Sequence, residues 1–293
     1  MSITSFLLRT TFGRGDRKRD KGLTTPADVK RRNNIAYGSD PKWQILDVYR
    51  PRGRKGRLPV IVNVHGGGWV YGTKEVYQFY CMSLAQHGFA VVNFTYRLAP
   101  QYKFPASLED TNRVFHWVLD HAEEYGFDTE HVFAVGDSAG AQLLGLYSCI
   151  CTNPECAAQY SFRPPKGFVP TAVALNCGTY EIHAGSKNDL TSRLMKDLLP
   201  NKGTAEELRQ VSVIHHVTDA FPPCFIMTAN DDFLRESAPP MVEKLKNLGV
   251  PVTYKLYGTD QNRLGHVFHC NMRSEDARIC NSEECEFFRS FIK

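Results

Sequence analysis

Val132-Phe133-Ala134-Val135-Gly136-Asp137-Ser138-Ala139-Gly140 is the stretch whose reading decides the fold. Its first residues form a short apolar run, the pattern of a buried strand. They meet a Gly-x-Ser-x-Gly turn, and the helix-friendly run Ala141 to Leu146 follows at once. A Gly-x-Ser-x-Gly match on its own also occurs in ordinary turns. The order strand, sharp turn, helix makes it a nucleophile elbow, which lifts a serine hydroxyl clear of the sheet. Gly136 and Gly140 lack side chains, so strand and helix can approach closely around Ser138. The helix start adds free backbone N–H groups and positive dipole character beside the serine oxygen.

The chain has 293 residues, 42% of them hydrophobic and 23% charged, which is the balance of a globular protein with a sizeable core. The formal charge of +4 is small, and much of it sits in two clusters, Arg14 to Lys21 and Arg50 to Arg57. Neither is interleaved with aromatic residues, so both read as solvated runs rather than nucleic-acid or lipid contacts. Nine cysteines without regular spacing read as reduced thiols, which implies a cytoplasmic setting. Met1 to Arg9 has neither a charged start nor a small-residue cleavage site, so it is not read as a signal peptide. No run approaches the ~20 apolar residues that span a bilayer. A soluble protein with no membrane and no nucleic-acid partner is expected.

Outward from the elbow, strands and helices alternate. Leu58 to Val64, Phe89 to Phe94, Thr171 to Leu175 and Pro223 to Thr228 are nearly continuous apolar runs, and Val252 to Tyr257 alternates. Helical spacing covers Lys74 to His87, with Val76, Phe79, Leu84 and Ala85 inward. It also covers Ala106 to Tyr125, Ser237 to Leu248 and Ser274 to Phe291. Asn34 to Tyr37 and Gln44 to Tyr49 read as a hairpin at a sheet edge. The expected architecture is α/β: a mostly parallel sheet with helices on both faces, in one domain spanning 1–293. Residues 1–32 show no chemistry of their own. The segment 178–217 interrupts the alternation with helices near Thr191 to Leu199 and Ala205 to Val211, and an insertion there is placed to cover a pocket.

A serine is a weak nucleophile and needs a base, with a carboxylate to orient the base. In an open α/β sheet these belong on loops at the carboxyl ends of later strands. One such loop carries Asp231 and Asp232, and another carries Gly258 to Gly265 and then His266. The order Ser, Asp, His is that of α/β-hydrolases. His266 is preferred to His269, three residues on, because it follows the last strand on a glycine-containing loop. Spacing alone leaves Asp231 and Asp232 equivalent. His65-Gly66-Gly67-Gly68-Trp69 follows the Leu58 to Val64 strand, and its glycines let backbone amides turn inward. The N–H groups of Gly67 and Gly68, with that of Ala139, are the candidate oxyanion hole. No Lys-Ser or Lys-Thr pair follows the glycines, which removes the phosphate-loop reading. His266, His269 and Cys270 with Cys280 and Cys285 match no common zinc spacing, so neither a metal nor an organic cofactor is expected.

His65-Gly66-Gly67-Gly68-Trp69, Tyr96-Arg97-Leu98-Ala99-Pro100, Phe104-Pro105-Ala106 and Gly136-Asp137-Ser138-Ala139-Gly140 together resemble the hormone-sensitive-lipase-like family of α/β-hydrolases. The resemblance runs from about Asn33 to the C-terminus. It implies a carboxylesterase or acetyl esterase acting on small-molecule esters of short acyl groups. It also implies a helical cap built from about 1–32 and 178–217. The family's acid is followed by an apolar residue or proline and then Leu-Arg. Asp232-Phe233-Leu234-Arg235 fits this pattern, so the resemblance selects Asp232, with Ser138 and His266, as the catalytic set. The family commonly follows its histidine with Gly-Phe, where Val267-Phe268 stands here. Two other readings use the same residues: a small-molecule-binding protein on this fold, and an acyltransferase or peptidase.

Overall fold

The computed structural model describes residues 2–183, 185 and 189–292. Residues 184 and 186–188 of the expected covering segment, and residues 1 and 293, lie outside the described residues. Eight strands form one sheet: β1 (Val29–Ala36), β2 (Ile45–Pro51), β3 (Leu58–Val64), β4 (Ala90–Phe94), β5 (Phe127–Asp137), β6 (Ala172–Asn176), β7 (Cys224–Ala229) and β8 (Val252–Tyr257). Their order is β1-β2-β4-β3-β5-β6-β7-β8. The first two pairings are antiparallel and the remaining five are parallel. The runs read as doubly buried are so: every residue of β4, β6 and β7 is buried. Apolar clusters lie on both faces of the sheet, one under the helices Ala106–Asp120, Ala139–Thr152 and Ala238–Asn247, the other under Lys74–Gln86 and Glu275–Arg289. This is the mostly parallel, helix-flanked sheet that the strand spacing implied.

Three local readings change. β1 begins at Val29 rather than near Asn34, because a bulge between Arg32 and Ile35 breaks its alternation. Within it Asn34 takes a left-handed backbone (φ 57°) and donates its N–H to Asp47 at 2.9 Å. The Lys74–Gln86 helix turns Tyr77, Tyr80, Cys81 and Leu84 inward, whereas Val76 and Phe79 pack at the rim. The long helix from Ala106 stops at Asp120, and a separate turn, Ala122–Tyr125, follows.

The segment before β1 forms one helix, Ile3–Asp20, capped by Ser2, whose hydroxyl accepts the N–H of Ser5. It packs against the helix Leu190–Leu198, and the hydroxyls of Ser2 and Ser5 both donate to Asp197. Arg9 donates to the carbonyls of Val70 (2.6 Å) and Ala99 (3.1 Å), fixing the helix beside the His65 to Trp69 loop. Parallel strands place the loops after β3, β5, β7 and β8 at one edge of the sheet, and the functional side chains converge there.

Candidate active site

Ser138 sits between β5 and the helix Ala139–Thr152 with φ 52° and ψ −119°. A non-glycine residue in this region is strained, and the surrounding backbone holds it there. The Ser138 N–H donates to the Asn176 carbonyl at the end of β6, at 2.9 Å. The close approach that the glycines allow is real. A Cβ on Gly140 would lie 2.0 Å from the Val64 carbonyl oxygen, and one on Gly136 would lie 2.5 Å from that of Gly140.

His266 Nε2 lies 3.0 Å from Ser138 Oγ, and its Nδ1 lies 2.8 Å from Asp232 Oδ1. The three side chains form one hydrogen-bonded relay. Asp232 is buried and follows β7, where its carboxylate also accepts the Leu234 N–H at 2.8 Å and the Thr228 hydroxyl at 3.3 Å. Burial pushes its carboxyl up. The hydrogen bond and charge of His266, with the Leu234 N–H, outweigh this and hold it below its usual range. Asp231 is exposed and faces Arg263 at 3.7 Å. The choice between the two aspartates, open to spacing, is therefore a difference of geometry. His269 is not in the relay either. It is fully buried, with Nε2 3.5 Å from Cys270 Sγ, and burial together with nearby His266 lowers its pKa to about 3.

The loop carrying His266 is tied to the loop carrying Asp232. The Asn230 side chain accepts the Leu264 N–H (2.9 Å) and donates to the Thr259 carbonyl (2.8 Å). Val267 follows the histidine with a left-handed backbone, φ 53° and ψ 33°. That conformation explains why glycine suits the position: a β-branched residue pays a steric cost there that glycine does not.

Gly67 and Gly68 both adopt positive φ, 119° and 58°. Among the described residues, the N–H groups of Gly67, Gly68 and Ala139 have no hydrogen-bond acceptor. The loop is held from several sides. The Trp69 indole donates to Gln142 at 2.9 Å, and Gln142 in turn donates to the Val211 carbonyl. His65 is fully buried and stacked on Tyr96 at 3.9 Å, with its pKa lowered to about 4 by burial, so it is neutral. The Asp137 carboxylate accepts the Gly66 N–H (3.0 Å) and the Tyr77 hydroxyl (2.8 Å), and burial pushes its carboxyl up to about 6 despite both bonds. Sequence reading missed Asp137 and Tyr77. Asp137 was visible inside the motif, but nothing in the sequence pointed it at Gly66.

A cleft of about 410 Å³ opens over Ser138, within the usual range for small-molecule sites. Ile182, Leu190, Leu194 and Phe233 form an apolar wall, and Leu8, Phe12, Asp16 and Arg19 from the first helix form another. Part of the segment 1–32, read as showing no chemistry of its own, thus lines the cleft. Two groupings of metal-ligating type occur among the described residues: Cys177 with Asp232 and His266, and Asp137 with His269 and Cys270. Cys280 and Cys285 belong to neither. Among the described residues, no helix is long and apolar enough to cross a membrane.

The family model described as the alpha/beta hydrolase fold matches residues 61–270. The chain belongs to this family. Its relatives include the versiconal hemiacetal acetate esterase of Dothistroma septosporum, 26% identical over 223 residues, covering 72% of this chain and 67% of the relative. Esterase LipC of Mycobacterium tuberculosis is 28% identical over 227 residues, covering 73% of this chain and 55% of the relative. Among solved structures, an inhibited esterase B from Lactobacillus rhamnosis superposes with a TM-score of 0.88 at 25% identity, covering 99% of this chain and 97% of that one. The chain spans 50% to 67% of the length of five such curated relatives. The three proteins named above are called esterases, in keeping with the resemblance of this chain's motifs to the hormone-sensitive-lipase-like group.

Proposed function

We propose that this chain is a serine carboxylesterase that hydrolyses short-chain, acetyl-type esters through Ser138, His266 and Asp232. The observation that carries the reading is the continuous relay of 3.0 Å and 2.8 Å from Ser138 through His266 to Asp232 at the base of the cleft. Family membership supports carboxylic ester hydrolysis as the reaction.

In the first half of the reaction, Ser138 Oγ attacks the ester carbonyl carbon while His266 Nε2 takes the hydroxyl proton. Asp232 holds the imidazole in the required tautomer and stabilises the imidazolium that forms. The oxyanion gathers the N–H groups of Gly67, Gly68 and Ala139. Each such donor is typically worth about 3 kcal/mol of transition-state stabilisation. His266 then gives its proton to the departing alkoxide, leaving an acyl-enzyme. Water attacks the acyl carbon by the same route, and the carboxylic acid leaves as Ser138 recovers its proton. Every proton and electron pair is accounted for without a cofactor.

A short acyl group is supported by the size of the cleft and by the two helices that line it, Ile3–Asp20 and Leu190–Leu198, which we propose act as the cap. The acetate ester in the name of the Dothistroma relative supports the same reading. The test is a series of p-nitrophenyl esters of increasing acyl length on wild type beside Ser138→Ala. Turnover is expected to be highest for the shortest chains. Ser138→Ala should lose at least roughly 10⁴-fold in kcat. Activity retained by Ser138→Ala rejects the nucleophile, and a binding-only protein turns over none of the series.

A further inference from the structure

One wall of the cleft is charged. Asp16 and Arg19 line it from the Ile3–Asp20 helix, and Tyr71 lines it from the loop that begins at His65. The three side chains form one network. The Tyr71 hydroxyl donates to Asp16 Oδ2 at 2.7 Å, and Arg19 Nη1 donates to Asp16 Oδ1 at 2.8 Å. The Tyr71 backbone lies directly against the candidate oxyanion loop. Its N–H donates to the Gly67 carbonyl at 3.0 Å, and a Cβ on Gly67 would lie 2.3 Å from its carbonyl oxygen. Asp16, Arg19, Tyr71 and Ser138 line the same cleft.

Arg9 on Val70 and Ala99, and Ser2 and Ser5 on Asp197, pin the N-terminal half of the helix, while Asp16 on Tyr71 and Arg19 on the Val76 carbonyl (2.8 Å) hold its C-terminal half over the cleft. A part-buried ion pair in a largely apolar cleft costs desolvation, a cost that is recovered when a polar ligand completes its hydrogen bonds. Capacity for this remains. Each Asp16 oxygen accepts one bond and can accept another, the Tyr71 oxygen can accept, and Arg19 Nη1 keeps a second N–H with no acceptor among the described residues. An adjacent acceptor and donor match neighbouring hydroxyl groups.

Charge narrows the ligand. Arg19 is the one Arg or Lys lining the cleft among the described residues, and it is shared between Asp16 (2.8 Å) and Asp20 (2.7 Å). Asp20 lies outside the lining, so the wall presents one carboxylate and one guanidinium already paired to each other, with no net charge to draw in a carboxylate or an ammonium. Ile182, Leu190, Leu194 and Phe233 line the same cleft with apolar side chains, joined by the hydroxyl-bearing Thr179 and Thr191.

We propose that Asp16, Arg19 and Tyr71 form a subsite for a neutral, hydroxyl-bearing group, so that the chain selects esters with a polyol- or sugar-like end. The proposal rests on the esterase reading above and names its substrate class.

The test compares four soluble acetates that differ in the alcohol: glyceryl monoacetate, n-propyl acetate, acetylcholine and acetylglycolate. Wild type should hydrolyse glyceryl monoacetate with kcat/KM roughly tenfold above n-propyl acetate, the worth of a well-made hydrogen bond, and above both charged esters. Asp16→Asn and Tyr71→Phe should each bring the glyceryl-to-propyl ratio down severalfold. Because the ratio is taken on one enzyme sample, loss of folded protein cancels from it. A wild-type ratio near one, or a ratio kept by both variants, overturns the subsite while leaving the esterase reading intact. Preference for acetylcholine or acetylglycolate overturns the neutral-hydroxyl assignment. Hydrolysis of none of the four, with the p-nitrophenyl series also inert, removes the esterase reading and the subsite with it.

Discussion

Asp137 Oδ1 accepts the N–H of Gly66 at 3.0 Å, and this bond joins the residue before Ser138 to the loop that carries Gly67 and Gly68. Two segments 71 positions apart are thereby held in register at one carboxylate. If Gly67 and Gly68 donate to an oxyanion, their aim depends on this tie. Asp137→Ala should therefore lower kcat roughly 10- to 100-fold with little change in KM, since the loss falls on transition-state contacts. Tyr77→Phe removes one of the two bonds to Asp137 and should cost less. Steady-state kinetics on a short ester checks both, and a change confined to KM would sink the idea.

The two neighbouring aspartates should behave very differently. Asp232→Asn leaves the imidazole without its carboxylate and should lower kcat by roughly 10³- to 10⁴-fold. Asp231 is more than half exposed, at 57%, and lies outside the relay, so Asp231→Asn should stay within about twofold of wild type. Equal losses in the two variants would remove Asp232 from the role proposed for it.

A buried acid makes stability pH-dependent. Glu284 on the last helix accepts the Tyr80 hydroxyl (2.7 Å) and the Asn176 amide (2.6 Å), and Asn176 receives the Ser138 N–H. Burial raises the Glu284 carboxyl to about 7 against both bonds, from an ordinary value of 4.5. The native chain thus holds this proton over a range where the unfolded chain has lost it. By linkage, stability is highest below about pH 4.5 as far as this group is concerned, and falls as pH rises through about 7. The full swing is on the order of 3 kcal/mol. Glu284→Gln should flatten that part of the profile and raise stability at pH 8 relative to pH 5. Urea unfolding at several pH values measures it; a profile unchanged by the substitution would refute the assignment.

These predictions separate what sequence carries from what only the fold brings together. β3, β4, β6 and β7 were legible because a strand buried on both faces must be apolar at nearly every position. The meeting of Ser138 and His266 was legible because the strand-end rule limits which loops can reach the elbow serine. Asp232 was separable from Asp231 only through family resemblance, since adjacent residues share every spacing argument; burial against Thr228 and Leu234 is what distinguishes them. The inward face of the Lys74–Gln86 helix was read correctly at Leu84 and Ala85 but not at Tyr77 and Tyr80, which have polar tips, and those tips are buried only because Asp137 and Glu284 wait for them. Pairings of this kind cross 60 and 204 positions and leave no local trace. The place of the first helix over the cleft was indicated only by family resemblance, because its own pattern does not say which surface it will meet.

Two glycines of similar local appearance should respond in opposite directions to alanine. Gly140 lies in the first turn of the helix after Ser138, and an added Cβ would sit 2.0 Å from the Val64 carbonyl oxygen and 2.6 Å from that of His65. Both atoms are backbone, in β3 and the residue after it, so nothing flexible can yield. Gly140→Ala should cost more than about 4 kcal/mol and give protein that is insoluble or inactive. Gly15 lies within the Ile3–Asp20 helix, and a Cβ added there would meet nothing within 4 Å. There alanine gains helix propensity and restricts the unfolded chain, worth up to about 1 kcal/mol. Gly15→Ala should therefore raise Tm by roughly 2–4 °C. Thermal unfolding of the two variants beside wild type decides the matter: a tolerated Gly140→Ala would mean that the helix does not approach β3 as closely as the elbow requires.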